Sequence, residues 1–136
     1  MADIKLIGAK FQKINAERNP DFDGKVEVGT NIQIQKLEKL KDSKEALKIQ
    51  YLFGIDYKDL GKVSIEGTLF LSSNPKKIKE LIKLQKESKV NSPEFVAITN
   101  LIIQKASIKA FELEEELGLP IHIKFPTVNF QEKPNN

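Results

Sequence analysis

The sequence predicts an α+β fold: a four-stranded antiparallel sheet, then a surface helix, a long amphipathic helix on one face of the sheet, and an extended apolar segment at the C-terminal end. Three observations lead to this prediction. Four segments in the first half alternate apolar and polar residues, as half-buried strands do. Two segments in the second half begin with helix-capping signals and carry apolar residues at helical spacing. A proline-containing apolar stretch without a regular period follows them.

The predicted strands are separated by short polar or charged links. The first covers residues 4–13 and alternates at Ile7, Ala9 and Phe11. The other three cover the apolar sets within residues 26–34, 47–57 and 63–71. A tight turn is predicted at Asp59-Leu60-Gly61 and a solvated loop at residues 39–45. Since each pattern has one apolar face, we expect the strands to form an antiparallel sheet that is covered on one side.

Each predicted helix begins with a capping residue followed by proline. Asn74-Pro75 opens a lysine-rich helix over residues 75–89 with a narrow apolar stripe, so this helix should lie on the surface. Ser92-Pro93-Glu94 opens the long helix, which runs to Leu117 and stops at Gly118, a residue type favoured just after a helix. Its main stripe is Phe95, Ile98, Ile102, Ala106, Leu113 and Leu117.

The long helix carries more apolar surface than one sheet needs. Apolar residues widen both flanks of its stripe, and burying six further side chains could supply on the order of 10 kcal/mol. Helix-to-helix oligomerisation is the simplest way to cover them, and a bound apolar polypeptide is the functional alternative. The residues predicted for an oligomer interface are Val96, Leu101, Ile103, Ile108 and Phe111.

The segment from Leu117 to Phe130 cannot continue the helix. Pro120 and Pro126 lack amide hydrogens and fix φ, so the segment is predicted to be an extended and only partly hydrogen-bonded ribbon. Such a ribbon suits either a subunit contact or an apolar binding groove. For Phe125 and Phe130 these two interpretations have equal weight.

Composition excludes several classes of protein. The chain has no cysteine, which excludes disulfide bonds, thiol catalysis and cysteine metal sites. The net charge of +3 comes almost wholly from lysine, with Arg18 as the one arginine, which disfavours nucleic-acid binding. No signal-peptide core or bilayer-length apolar run is present, so we expect a cytoplasmic protein without a membrane partner. At 136 residues, a single domain over residues 1–136 is expected.

Other chemistries have weak support. Residues 19–24 resemble the start of a calcium loop, but the twelfth position is Thr30 where a glutamate is needed, so a turn is predicted. The lone His122 is interpreted as structural or exposed, since no second histidine or cysteine accompanies it. The acidic run Glu112, Glu114, Glu115 and Glu116 is interpreted as a solvated face balanced by Lys105 and Lys109. No enzyme, metal or cofactor is expected.

The order of elements and the last apolar segment resemble the SecB family of export chaperones. The features that carry the resemblance are four sequential strands, the fourth with Val63-Ser64-Ile65-Glu66-Gly67, then a long helix and a Gly-Leu-Pro stretch from Gly118. The family ends this stretch with a Pro-Val-Asn-Phe motif, and this chain has Pro126-Thr127-Val128-Asn129-Phe130, one residue longer. Motif-level identity is confined to about a tenth of the chain.

The resemblance implies an ATP-independent holdase that binds unfolded or extended polypeptides in apolar grooves. It also implies a dimer of dimers, with sheets paired edge to edge and the long helices between them. The groove beside the loop after the long helix corresponds to Ile121, Ile123, Phe125, Val128 and Phe130. Nearby aromatic candidates are Phe22, Tyr51, Phe53 and Tyr57, although the strand alternation at the last three also predicts core residues.

The chain departs from the family pattern in three ways. Only six residues follow Phe130, so the family's final helix is expected to be missing or reduced; the chain also inserts the helix over residues 75–89, and it is basic where the family is acidic. These departures argue against docking to the SecA motor. SecB-like proteins also include chaperones dedicated to one antitoxin and members of unknown role, so a dedicated interaction module is the second hypothesis.

Overall fold

The computed structural model describes residues 4–22, 24–41, 45–87 and 92–122. Its strands are β1 (Lys5–Arg18), β2 (Gly29–Lys39), β3 (Ala46–Asp56) and β4 (Gly61–Ser72), and its helices are α1 (Pro75–Lys86) and α2 (Pro93–Leu117). A 3₁₀ turn, Lys58–Leu60, joins β3 to β4 at the predicted tight turn. The predicted α+β class and the order of strands and helices are confirmed, whereas the predicted extended segment lies outside the described residues from position 123 onward.

All strand pairs are antiparallel, and the order across the sheet is β1-β4-β3-β2. β1 therefore pairs with β4, and the chain crosses from one edge of the sheet to the other between β1 and β2. The register places Arg18, the last residue of β1, opposite Gly61 at the start of β4. This brings the end of β1, the 3₁₀ turn and the start of the crossing segment to the same end of the sheet.

Bulges change which residues of β1 and β2 face the helices. In β2, Ile34 pairs with Tyr51 and Lys36 with Gln50, so the extra residue Gln35 rotates the strand and Leu37 enters the core. Val26 and Val28, predicted within this strand, precede it and pack partly against the core.

β1 runs to Arg18, beyond its predicted end, and its predicted inward alternation is wrong. Ile7 lies at a bulge and is 59% exposed, and Phe11 is 42% exposed. The β1 residues that pack on the core are Leu6 and Ala16. The reason is that β1 is an edge strand with two bulges, so apolar alternation along it does not mark burial.

The core lies between the sheet and the two helices. α2 crosses β1, β3 and β4, while α1 lies against β2. Outward-facing residues of β3 such as Lys48 and Gln50 stay partly exposed. The sheet is therefore covered on one face, as predicted. The inward residues of the two central strands are all buried, namely Leu47, Ile49, Tyr51, Phe53, Ile55, Val63, Ile65, Leu69 and Leu71.

Side-chain caps begin both helices as predicted. The Asn74 side chain accepts from the Lys77 N–H at 2.7 Å, and Ser92 Oγ accepts from the Phe95 N–H at 3.3 Å. Lys77 also reaches Glu94 at 3.0 Å and so joins the first turns of the two helices. α1 buries Ile78 and Leu81 on its inner side. No helix among the described residues is long and apolar enough to cross a membrane.

The buried side of α2 turns along its length. The first four residues of the predicted stripe, from Phe95 to Ala106, are buried, but Leu113 and Leu117 are only partly buried. The inner side of α2 in this part is formed by Ser107, Ala110 and Glu114, which are buried. A carboxylate and a hydroxyl therefore enter the region between α2 and the sheet.

Candidate functional site

A polar network lies beneath the C-terminal half of α2. Tyr57 follows β3, Ser107 and Glu114 belong to α2, and His122 comes after that helix. Tyr57 is 0% exposed, Ser107 3% and Glu114 1%, and the His122 side chain is fully buried. Groups of this kind are rarely buried unless they bind one another, so their hydrogen bonds define the site.

Glu114 is the centre of the network. Its Oε2 accepts hydrogen bonds from the Tyr57 hydroxyl and, at 3.1 Å, from the His122 backbone N–H. His122 Nδ1 lies 2.8 Å from the same oxygen, and His122 Nε2 lies 3.0 Å from Ser107 Oγ. The Phe53 ring and the imidazole pack in a T-shaped arrangement, with ring centroids 5.7 Å apart. One carboxylate oxygen thus joins the end of β3, the helix and the chain beyond it.

Local structure explains why these residues meet. Ser107 and Glu114 are two helical turns apart and so share a face of α2. Gly118 ends the helix with φ 69°, a left-handed conformation that glycine adopts without strain. The next residue, Leu119, is buried and donates its N–H to the Glu114 carbonyl at 2.9 Å. The chain therefore folds back beneath α2 and brings His122 to Glu114.

Arg18 holds the end of α2 from the neighbouring strand. Its Nη1 donates to the Gly118 carbonyl at 2.5 Å and to the Leu117 carbonyl at 3.3 Å. The last turn of α2 has no basic residue of its own, so the guanidinium supplies the positive charge that a helix C-terminus favours. The chain's one arginine has a structural role in the fold.

Replacing Arg18 by glutamine is expected to lower the free energy of unfolding by about 1 kcal/mol, because two helix-terminal carbonyls lose a charged donor. Arg18→Lys keeps the charge but loses the planar donor geometry, so it should lose roughly half as much. Urea denaturation of the two variants measures the difference. Equal stability of both variants and the parent would contradict a capping role.

The two tyrosines differ in their hydrogen bonding. The buried Tyr51 hydroxyl has no hydrogen-bond partner among the described residues, whereas the Tyr57 hydroxyl donates to Glu114. Burial raises the pKa of Tyr51 to about 12. Burial also raises the pKa of Tyr57, and its hydrogen bond to Glu114 raises it further. Both phenols are thus held in the neutral form.

The two Tyr→Phe substitutions should differ in their effect on the free energy of unfolding at neutral pH. Tyr51→Phe removes an unpaired buried hydroxyl, so we expect unchanged or slightly higher stability. Tyr57→Phe removes a donor to a buried carboxylate and should cost about 1.5 kcal/mol. Urea denaturation at pH 7 compares the pair, and equal effects would show that the Tyr57 hydrogen bond contributes nothing.

Stability should also fall in alkaline solution. The folded chain binds the tyrosine protons more tightly than the unfolded chain, whose phenols have pKa near 10.0, so their contribution to the free energy of unfolding is fully present below pH 10. This contribution is lost as the pH rises, for Tyr51 between pH 10 and about 12, at about 1.4 kcal/mol per pH unit. Urea denaturation of the parent and of Tyr51→Phe from pH 9 to 11.5 isolates the contribution of the Tyr51 phenol, since lysine titration is common to both proteins. If the unfolding free energies of the two proteins fell in parallel with pH, the Tyr51 contribution would be contradicted.

The network has the connectivity of a serine–histidine–carboxylate relay, but it is not placed for catalysis in the described conformation. Ser107 lies within α2 and is 3% exposed, so its hydroxyl is out of reach of a substrate carbonyl. A structural interpretation of His122 is confirmed. The network binds parts of the fold together.

Sequence reasoning missed this network because it treated the acidic run as one solvated face, and that prediction is wrong for Glu114. Glu112, Glu115 and Glu116 are exposed, and Lys109 lies 3.1 Å from Glu112, as the balanced-charge interpretation predicted. Glu114 differs because it stands four residues after the buried Ala110 and seven after Ser107. That spacing is the signal that could have separated it from its neighbours.

The predicted polypeptide-binding residues fall into three groups. Tyr51, Phe53 and Tyr57 are 0% exposed, so their interpretation as core residues is confirmed, while their assignment to a client groove stays a prediction. Phe22 is partly buried against the core, and Ile121 is 49% exposed. The remaining predicted residues, Ile123, Phe125, Val128 and Phe130, lie outside the described residues.

The predicted oligomer-interface residues lie on the outer flanks of α2. Val96 is 49% exposed and Ile108 61% exposed, while Leu101, Ile103 and Phe111 are partly buried. A groove of about 390 Å³ runs between Ile108 and the edge strand β1 and has a basic rim. Its lining is Ala9, Lys10, Phe11, Lys105, Ile108, Lys109 and Glu112.

The calcium-like segment forms a turn, as predicted. The Asn19 side chain accepts from the Asp21 N–H at 3.0 Å, which closes the backbone locally, and Asp23 lies outside the described residues. In the part of the chain that the structure describes, no three His, Cys, Asp or Glu side chains are grouped to hold a metal.

Comparison with solved structures identifies a similar fold. The chain matches the SecB-like chaperone Rv1957 of Mycobacterium tuberculosis, solved in complex with a ChAD peptide from the Rv1956 HigA1 antitoxin. The TM-score is 0.55 and the identity 11%, and the match covers 94% of this chain and 92% of that one. No family model and no curated protein matches the sequence. At this identity the likeness concerns architecture, and it shows that the chain has a SecB-like fold.

Proposed function

We propose that the protein is an ATP-independent chaperone that binds unfolded or extended polypeptides by apolar contacts in the cytoplasm. The observation that carries the proposal is the apolar surface the fold leaves open. Large hydrophobic residues are exposed on β1, on α2 and just after α2, and two of them, Phe11 and Ile108, line one groove, where grouped apolar residues favour a binding surface. These residues are Ile7, Phe11, Ile14, Val96, Ile108 and Ile121. The SecB-like fold supports a chaperone use for this surface, because the solved neighbour of that fold binds a peptide.

Two parts of that surface have different roles in the proposal. The flanks of α2, with Val96 and Ile108, and the free edge of β1 serve self-association into an oligomer, because a strand edge and an apolar helix flank suit a second copy of the chain. The region after α2 binds the client, beginning at Ile121 and including Ile123, Phe125, Val128 and Phe130. Phe22 belongs to the same client surface.

A dedicated partner is the second candidate function. The structural neighbour was solved with a peptide from an antitoxin, so a protein of this fold can bind one particular partner. A dedicated chaperone would bind one sequence saturably, whereas a general holdase would bind many unfolded chains. Docking to SecA is not part of either proposal.

The test is suppression of aggregation of a chemically unfolded model protein, with oligomer size measured for each variant. Ile121→Asp, Phe125→Asp and Phe130→Asp change the proposed client surface, and Ile108→Asp is the matched control on the helix flank. We expect the parent to protect at near-stoichiometric amounts. The client-surface variants should lose protection and keep their assembly, while Ile108→Asp should reduce the oligomer size.

Two results would overturn the general holdase. One is no protection by the parent, which would favour the dedicated partner if a single peptide still binds. The other is protection lost only in variants that dissociate, which would make the apolar segment an interface between subunits.

A further inference from the structure

His122 fills a recess whose walls come from other parts of the chain. The walls are Phe53 and Tyr57 from the sheet side and Ser107 and Glu114 from α2. His122 itself comes from the short stretch after Gly118, where Leu119 is buried and Ile121 is half exposed. The imidazole therefore sits in this recess as a ligand supplied by the chain itself.

The carboxylate in the recess is only half satisfied. Glu114 Oε2 receives the Tyr57 hydroxyl and both His122 contacts, while Oε1 is buried without a hydrogen-bond partner among the described residues. A buried carboxylate oxygen without a donor is costly. Glu114 Oε1 can thus accept a hydrogen bond that the imidazole does not supply.

A guanidinium group would use both oxygens. Its planar donors match the two oxygens of a carboxylate in a bidentate pair, and its flat face packs on aromatic rings such as Phe53 and Tyr57. An ammonium group offers a point charge without that fork. We propose that this recess is a binding site for the arginine side chain of a client polypeptide and that His122 occupies it in the free protein as an internal competitor.

Among the described residues, exchange of His122 for a client side chain leaves the elements before Pro120 in place. Leu119 is held by its burial and by its hydrogen bond to the Glu114 carbonyl, and α2 is capped by Arg18. The displaced group is then the stretch from Pro120 to His122. Removal of His122 opens the recess beside Phe53 and Tyr57, which explains how two aromatic residues buried in the free chain become part of a client site.

The first test uses a small guanidinium compound in a chain from which the internal ligand has been removed. His122→Gly should be less stable than the parent, and methylguanidinium should restore stability saturably, raising Tm by about 4 °C or more. N-methylurea, the neutral compound of the same shape, should not. Glu114→Gln in the same His122→Gly background should abolish the effect, and the parent protein reports any general denaturing action of each compound. An equal response to both compounds would overturn the proposal.

The second test uses the parent protein and does not depend on a variant folding. Because the chain has one histidine, the Hε1 proton of its imidazole gives one NMR signal that reports whether His122 is buried. An extended apolar peptide with a central arginine should move this signal to an exposed position and bind about 30-fold more tightly than the same peptide with citrulline. An unmoved signal, or equal binding of the two peptides, would refute the site.

This inference rests on the proposed polypeptide binding, and the second test distinguishes the two. If both peptides bind equally and the histidine signal is unchanged, the protein binds polypeptides but the recess takes no arginine. If neither peptide binds and the parent also fails to suppress aggregation, the proposed function fails. Methylguanidinium rescue of the variant in that case would leave the recess as a guanidinium site without a client role.

Discussion

Glu114→Ala is expected to lower the free energy of unfolding by about 3–5 kcal/mol, because two buried donors lose their acceptor at roughly 1–3 kcal/mol each and a cavity adds to the cost. The substitution leaves the Tyr57 hydroxyl and the His122 N–H without the acceptor they share. It also leaves a cavity beneath α2, where Glu114 is 1% exposed. The stretch from Pro120 to His122 would lose its attachment to the helix at the same time.

Glu112→Ala is the matched control because Glu112 lies two residues earlier on the same helix and is exposed. Its contact with Lys109 at 3.1 Å is a surface ion pair, so we expect a change of at most about 0.5 kcal/mol. Urea denaturation at pH 7 measures both variants. A loss below about 1 kcal/mol for Glu114→Ala would show that the network is not tightly formed in solution.

The contrast between these two glutamates shows where sequence reasoning reaches its limit. The helix itself was predictable, since Ser92-Pro93 and Gly118 are local signals that act within one turn. Whether each glutamate is buried or exposed depends on how α2 is rotated about its axis over the sheet. That rotation is set by packing against strands distant in sequence. Its buried side shifts towards Ala110 and Glu114 in the last turns, which a single straight stripe does not anticipate.

The same limit applies to the site and to β1. His122 appeared without partners because Ser107 is fifteen residues away and Tyr57 sixty-five residues away along the chain, and periodicity describes only neighbours within one element.

For β1, alternation at Ile7 and Phe11 indicated a strand correctly but not the inward face, because edge position and bulges arise from pairing with β4. Element types follow from local chemistry, whereas burial of single residues follows from topology.

Gly67→Ala is expected to cost about 3 kcal/mol, at the upper end of the range for overpacking a core. Gly67 lies in β4 opposite Tyr51 on β3 and Phe11 on β1. A Cβ there would lie 2.6 Å from Tyr51 Cζ and 2.9 Å from the Lys10 carbonyl oxygen. The ring is fully buried and the carbonyl belongs to the neighbouring strand, so neither neighbour moves without disturbing the sheet.

A double-mutant cycle with Tyr51→Leu tests that cause. Leucine lacks the ring atoms that meet the new methyl group, so Gly67→Ala should cost at least 1 kcal/mol less in the Tyr51→Leu background than in the parent. Gly54→Ala on β3 is the matched control, because the nearest atoms to its Cβ are 3.9 and 4.0 Å away and the methyl group fits; it should be neutral or slightly stabilising. Equal costs of Gly67→Ala in both backgrounds would place the strain in the backbone contact with β1 and not in the tyrosine ring.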